Sequence, residues 1–151
     1  MGSAVTLRIE GVEPGPQGSK AAIPLKRNGH YTGKVAMRES SRKVRPWREA
    51  VRQEVLRSGM AIIAGPVSLS VTFIMPRPKS HLTSKGALTK RAPRMHQGRP
   101  DLDKLSRATC DGLSGCAYAD DSLVCSLVAS KRYAVAGERV GAIVTIIGLE
   151  G

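Results

Sequence analysis

Five aspartates stand within 21 positions of this 151-residue chain: Asp101, Asp103, Asp111, Asp120 and Asp121. Carboxylates gathered that densely repel one another, and a bound hard dication is the usual relief. Oxygen donors alone suit Mg²⁺, or Mn²⁺, better than zinc. Asp101 and Asp103 open a predicted helix, Asp101 as its cap and Asp103 in its first turn. The positive end of the helix dipole keeps both ionised there. Asp120 and Asp121 precede a predicted strand. A chain reversal at 115–119 would set that strand start beside the helix, so that a third carboxylate converges on the first two. Arg107 follows Asp103 by one helical turn on the same face. It steadies that carboxylate or meets a phosphate, or else forms a plain surface pair worth about 0.3 kcal/mol. Asp111 continues the face near the helix C-terminus, where a bond to Arg107 is its expected role. A single aspartate is ordinarily a cap or a turn former. The clustering is what argues for metal-assisted chemistry.

Charge supplies the other half of the argument. The chain carries 24 lysines and arginines against 12 acidic residues, a net +12. The signs are segregated: residues 1–100 hold 19 basic and 5 acidic side chains, residues 101–151 hold 5 and 7. No acid occurs between Glu54 and Asp101. Such basicity points to a polyanion, with nucleic acid the common partner and an anionic membrane surface the other. Cations hold phosphates and carboxylates hold metal, which is the composition of a metal-dependent enzyme acting on nucleic acid. A non-catalytic nucleic-acid-binding protein explains the +12 equally well, but not the island of acids.

Other classes fall away. The five aromatic residues exclude rows of stacking rings. No run approaches about 18 apolar residues, so a membrane span is not expected. The first ten residues lack the apolar stretch of a signal peptide. Cys110, Cys116 and Cys125 are odd in number and form no CxxC pair, which suits reduced thiols in a cytoplasmic protein. Zinc held by these and His30, His81 and His96 would need unusual spacing and is not expected.

Periodicity supplies the scaffold. The alternation from Ala4 to Glu10 predicts a strand, and residues 12–17 a loop. Residues 19–37 are basic and weakly strand-like, with Asn28-Gly29 as a hairpin turn. After a loop at 38–44, a helix is predicted from Pro46 to Ser58, with Trp47, Val51 and Val55 as its apolar stripe and Gly59 as its stop. Residues 66–76 form the clearest strand, with Val67, Leu69, Val71 and Phe73 on one face. Residues 77–100 read as a basic mobile loop whose Lys85, Lys90, Arg91, Arg94 and Arg99 would hold a DNA backbone. The helix from Asp101 buries Leu102, Leu105, Thr109 and Leu113, and Gly112 and Gly115 mark its end. Residues 122–135 and 140–149 read as an antiparallel hairpin about Gly137. The layered solution is a single α+β domain over 1–151: a two-layer sandwich, with a small mixed sheet and two helices on one face.

Three blocks resemble a known family. Arg99-Pro100-Asp101-Leu102-Asp103-Lys104-Leu105, Asp111-Gly112-Leu113 and Asp120-Asp121-Ser122-Leu123-Val124 are similar in kind and spacing to the core signature of the RusA family of Holliday junction resolvases. The resemblance is specific over residues 99–124. It implies a RusA-like fold and a homodimeric, Mg²⁺-dependent endodeoxyribonuclease of DNA recombination and repair, which cuts four-way junctions by paired symmetric phosphodiester hydrolysis. It implies that Asp101, Asp103 and Asp121 are the metal-binding, catalytic aspartates, and it sets Arg107 where the family has a catalytic lysine. Two positions depart. Lys104 replaces the usual asparagine and would join the DNA contacts. Arg107 keeps the positive charge but does not release its proton at neutral pH, so charge stabilisation survives there and proton transfer does not.

Overall fold

The first strand follows directly from alternation: Val5, Leu7 and Ile9 turn inward and Thr6, Arg8 and Glu10 outward, forming β1 (Ala4–Glu10). The computed structural model describes residues 3–18, 20–39 and 42–150. Residue 19 of the strand-like stretch and residues 40 and 41 of the expected loop lie outside these. β2 (Lys20–Arg27) and β3 (His30–Glu39) form the anticipated hairpin, an antiparallel pair of their own apart from the main sheet. Asn28 and Gly29 both have positive φ, 51° and 79°, as a tight two-residue turn requires.

α1 (Val44–Ser58) begins two residues before the predicted start, because the Lys43 carbonyl already accepts from the Trp47 N–H. Pro46 sits in the first turn, where its missing N–H leaves no bond unmade. Val44, Trp47, Val51 and Val55 are all buried. Gly59 ends the helix at φ 68°. β4 (Val67–Met75) is the central strand. α2 (Leu102–Leu113) follows, then β5 (Val124–Tyr133) and β6 (Gly141–Gly148). Gly112 does not end α2 but lies inside its last turn, where an added Cβ would stand 3.1 Å from Val51 Cβ and 3.2 Å from the Arg48 carbonyl. The glycine lets the two helices touch. The whole is α+β, with both helices contributing to the core on one face of a four-stranded mixed sheet. No helix among the described residues is long and apolar enough to cross a membrane.

The sheet corrects one expectation. Its order is β1-β6-β4-β5, with β5 parallel to β4 and β6 antiparallel to it, so β5 and β6 do not form a hairpin. Alternation identified both strands but not their partners. The connection passes over the end of β4, where Ala134 N–H donates to the Met75 carbonyl at 2.9 Å. Two strand spacings, about 10 Å, need more chain than a tight hairpin turn provides. That connection is fastened by Arg132, whose guanidinium donates to both Glu138 carboxylate oxygens at 2.6 and 2.8 Å.

The segment 77–100 contains a 3-10 turn at Lys79–His81 and isolated bridges rather than regular elements. Tyr133 N–H donates to the Arg94 carbonyl at 2.9 Å, and Met95 bridges Arg132. Lys131 Nζ donates to the carbonyls of Gly98 and Pro100. Arg77, His81 and His96 surround the Tyr133 ring.

Two of these interactions have measurable consequences for stability. Trp47 Nε1 donates to Thr109 Oγ1 at 3.0 Å, and both residues are fully buried. Thr109→Val strands the indole N–H and should cost about 1–3 kcal/mol in urea denaturation, whereas Thr109→Ser should recover most of it. The Arg132 guanidinium holds the Glu138 carboxyl down to about 2 from its ordinary 4.5. The folded state therefore binds that proton less readily than the unfolded chain. The contribution is complete above pH 4.5 and is lost as pH falls toward 2. Glu138→Gln should cost about 1–2 kcal/mol at pH 7, and the difference between the two proteins should close progressively below pH 4.5.

Candidate active site

The helix α2 runs back along β5. Its start is tied to the end of β5, since the Pro100 carbonyl accepts from Lys131 Nζ at 2.7 Å. Its last turn meets the start of β5, where the Asp111 and Asp121 carboxyls are in hydrogen-bond contact. Between them lies an open groove of about 860 Å³, lined by Leu102, Ser106, Cys110, Val124, Leu127 and Ala129. Asp103, Arg107, Asp111 and Asp121 border it. Asp103, Arg107 and Asp111 form one stripe along α2 at four-residue intervals, and Asp121 faces that stripe from the far wall.

The acids occupy different electrostatic positions. Burial pushes the Asp121 carboxyl up to about 6, with the contact and repulsion of Asp111 next and the repulsion of Asp120 after it. The Tyr118 hydroxyl opposes this by donating toward Asp121 Oδ1 at 3.5 Å. Burial also raises the Tyr118 phenol and the Cys110 thiol, so both stay protonated at neutral pH. Asp111 pairs with Arg48 of α1 at 3.7 Å, not with Arg107 as the spacing suggested. Arg107 is exposed, and its guanidinium makes no hydrogen bond or ion pair with the other described residues. The i,i+4 surface pair with Asp103 is therefore not formed. Asp120 serves as a cap: its Oδ2 accepts from Ser122 N–H at 3.0 Å, and the Ser122 hydroxyl first, with that N–H after it, lowers its pKa.

Asp101 stands apart. It is the N-cap residue of α2, exposed, and its Oδ2 lies 3.6 Å from Lys104 Nζ. It lines a neighbouring cleft of about 470 Å³ with Glu13, Lys43, Arg99 and Lys104. The structure thus brings Asp103 and Asp121 to one groove and leaves Asp101 on the adjoining one. Helix geometry gives the reason: eight residues separate Asp103 from Asp111, about 12 Å of helix, and Asp121 lies at the Asp111 end. Lys85, Lys90, Arg91 and Arg94 are exposed along the 77–100 segment.

A loop supplies what sequence reasoning did not single out. Gly15 packs so closely on the Lys43 carbonyl that a Cβ would collide with it. Two residues on, Gln17 N–H donates to the Lys104 carbonyl at 3.0 Å. The loop therefore bridges the starts of both helices. Gln17 lines the groove, with its side-chain oxygen buried and without a hydrogen-bond partner. Nothing in the local pattern distinguishes Gln17 from any other polar loop residue. Asp111 was visible as part of a motif, but its partner was not. The anionic donors bordering the groove are the carboxylates of Asp103, Asp111 and Asp121, oxygen ligands of the kind a hard dication takes. Among the described residues, no three metal-ligating side chains stand close enough together to hold one as they lie.

Comparison with known proteins places the chain in a family. A family model described as endodeoxyribonuclease RusA matches residues 22–146. An uncharacterized Bacillus subtilis protein, YqaN, is 37% identical in an alignment of 78 positions that covers 48% of this chain and 52% of that protein. The chain thus spans about half the length of that curated relative. The family match covers both walls of the groove and most of the sheet, and on it the chain belongs to the RusA family of endodeoxyribonucleases.

Proposed function

We propose that the protein is a Mg²⁺-dependent endonuclease of branched DNA. It acts as a homodimer, resolving four-way junctions by paired nicks, since one site cuts one strand. The observation that carries the reading is the groove between α2 and β5. There, two opposed carboxylate walls and an unpaired guanidinium share one open channel beside a cation-lined cleft.

Asp103 and Asp121 border the groove, and Asp101 lies two residues from Asp103 at the helix start; these three are the proposed ligands, and the start of α2 and the turn carrying Asp121 would have to draw together about the divalent ion for all three to hold it. Asp111, in contact with Asp121, is the carboxylate that the structure adds to the candidates. When bound, the ion supplies a water of lowered pKa and neutralises charge at the phosphate. The chain's own residues do the rest. Arg107 offers a fixed positive charge to the phosphoryl oxygens as negative charge develops on them. Lys104 and Arg99 hold the backbone at the cleft, and Lys85, Lys90, Arg91 and Arg94 extend that hold along the basic segment.

Asp103→Asn and Asp121→Asn should each slow nicking of a labelled junction by about 10³-fold or more, a loss of roughly 4 kcal/mol of transition-state stabilisation. Gel shift in EDTA should show junction binding retained or tightened, because a charge facing phosphate is removed. Asp101→Asn should behave alike; cleavage retained by that variant would remove Asp101 from the ligand set.

Arg107→Lys should keep most of the rate, whereas Arg107→Ala should lose about 10²-fold or more. A four-way junction assayed beside linear duplex and fork, with and without Mg²⁺, separates the nuclease from a non-catalytic DNA-binding protein. Binding without metal-dependent nicking would decide for the latter.

A further inference from the structure

The β2–β3 hairpin lies outside the site just described, and nothing in the core explains it. Its strands pair with each other and, among the described residues, pack on no other helix or strand to more than a marginal extent. From Pro24 to Val35 every residue is exposed. A lone two-stranded ribbon is marginal in water, so its persistence calls for a surface to lie against. Its sequence has five cations, Lys20, Lys26, Arg27, Lys34 and Arg38, against one acid, Glu39. Tyr31 and Val35 are 70% and 61% exposed, on the same face as Lys26, whose ammonium lies 4.9 Å from the Tyr31 ring centroid.

The placement of its feet gives the ribbon a direction. Gly18, just before β2, and Lys43, just before α1, both line the cleft that holds Arg99, Asp101 and Lys104. The hairpin springs from the rim of the candidate active site. Eight strand residues reach about 26 Å, the length of about eight base pairs at 3.4 Å each. A two-stranded ribbon also fits the major groove, about 12 Å wide.

We infer that this hairpin is a DNA-holding arm, laid in the groove of the duplex that leaves the active site, with Lys26, Arg27 and Lys34 on its phosphates and Tyr31 and Val35 as its apolar contact. The inference rests on the reading of the protein as a nuclease of branched DNA. Charge decides for DNA over a second copy of the chain, since two ribbons of net +4 would repel each other.

The test uses the full chain and an immobile four-way junction with arms of about 25 base pairs, in EDTA, so that binding is read without cleavage. Lys26→Ala, Arg27→Ala and Lys34→Ala combined should weaken binding by about tenfold or more. They should also lower the slope of log affinity against log salt by about 2 to 3, one unit for each phosphate no longer neutralised. Hydroxyl-radical footprinting should show that protection disappears over about eight base pairs of one arm, outside the cleavage centre. Thermal melting should be unchanged, because none of the three side chains touches the core. Unaltered affinity, slope and footprint in the triple variant would overturn the arm while leaving the nuclease reading intact. Absence of DNA binding and nicking by the unmodified protein would overturn that reading instead. Tyr31→Ser with Val35→Ser should weaken DNA binding without changing the sedimentation of the protein; a shift from dimer to monomer would show that the ribbon serves a second copy and overturn the arm.

Discussion

The indole N–H of Trp47 reaches across the helix interface to Thr109, and Gly112 lets α2 rest against Val51 one turn later. These two contacts set the rotation of α2 about its own axis. With Leu105, Ala108, Thr109 and Gly112 turned inward, the complementary face carries Asp103, Arg107 and Asp111 in line along the groove. A rotation of one residue, about 100°, would bury a charge and turn the stripe away from β5. A hydrogen bond between two fully buried side chains therefore controls which charges the groove presents. The penalty for stranding either partner keeps alternative packings unfavourable.

The electrostatics follow from that arrangement. Asp111 and Asp121 press together at one end of the groove, and burial, with Asp111 after it, raises the Asp121 carboxyl to about 6. Arg48 supports Asp111 from the α1 side. At the other end, α2 presents its N-terminus, Lys104 and Arg99. The groove is thus acidic where β5 begins, while at the start of α2 Asp101 and Asp103 stand among Arg99 and Lys104. A net charge of +12 coexists with an acidic island because cations are interleaved with the aspartates: Lys104 beside Asp101, Arg107 between Asp103 and Asp111, and Arg48 beside Asp111.

What was legible in the sequence was whatever periodicity governs. The stripe of Trp47, Val51 and Val55 and the alternation of β1 and β4 are written in single segments, and each formed as expected. Pairing between distant segments was not legible. Alternation in 122–135 and 140–149 marked two strands but could not reveal that β4 would separate them, because a pleat records which face a residue takes and not which neighbour it finds. The same limit applies to the aspartates. Their clustering was visible, and Asp103 does share a groove with Asp121. That Asp121 would meet Asp111 rather than Asp101 depends on α2 running antiparallel to β5, a property of the βαβ crossover as a whole.

The start of α2 is where chain segments remote in sequence are tied together. Lys131 fastens Gly98 and Pro100 there, Gln17 bonds the Lys104 carbonyl, and Lys43 comes up beside Glu13 in the same cleft. Each of these ties brings a basic stretch with it: the 77–100 segment, the β2–β3 hairpin and the start of α1. Cations dispersed along the first hundred residues are thereby concentrated at the positive end of one helix dipole, where their attractions for a phosphate chain add. On the proposed function, a DNA backbone enters at that end and follows the groove toward the carboxylates, which repel phosphate until a dication offsets them. The basic stretches would then grip the backbone at the helix start, where Asp101 and Asp103 also stand, while Asp111 and Asp121 lie about 12 Å of helix further along the groove.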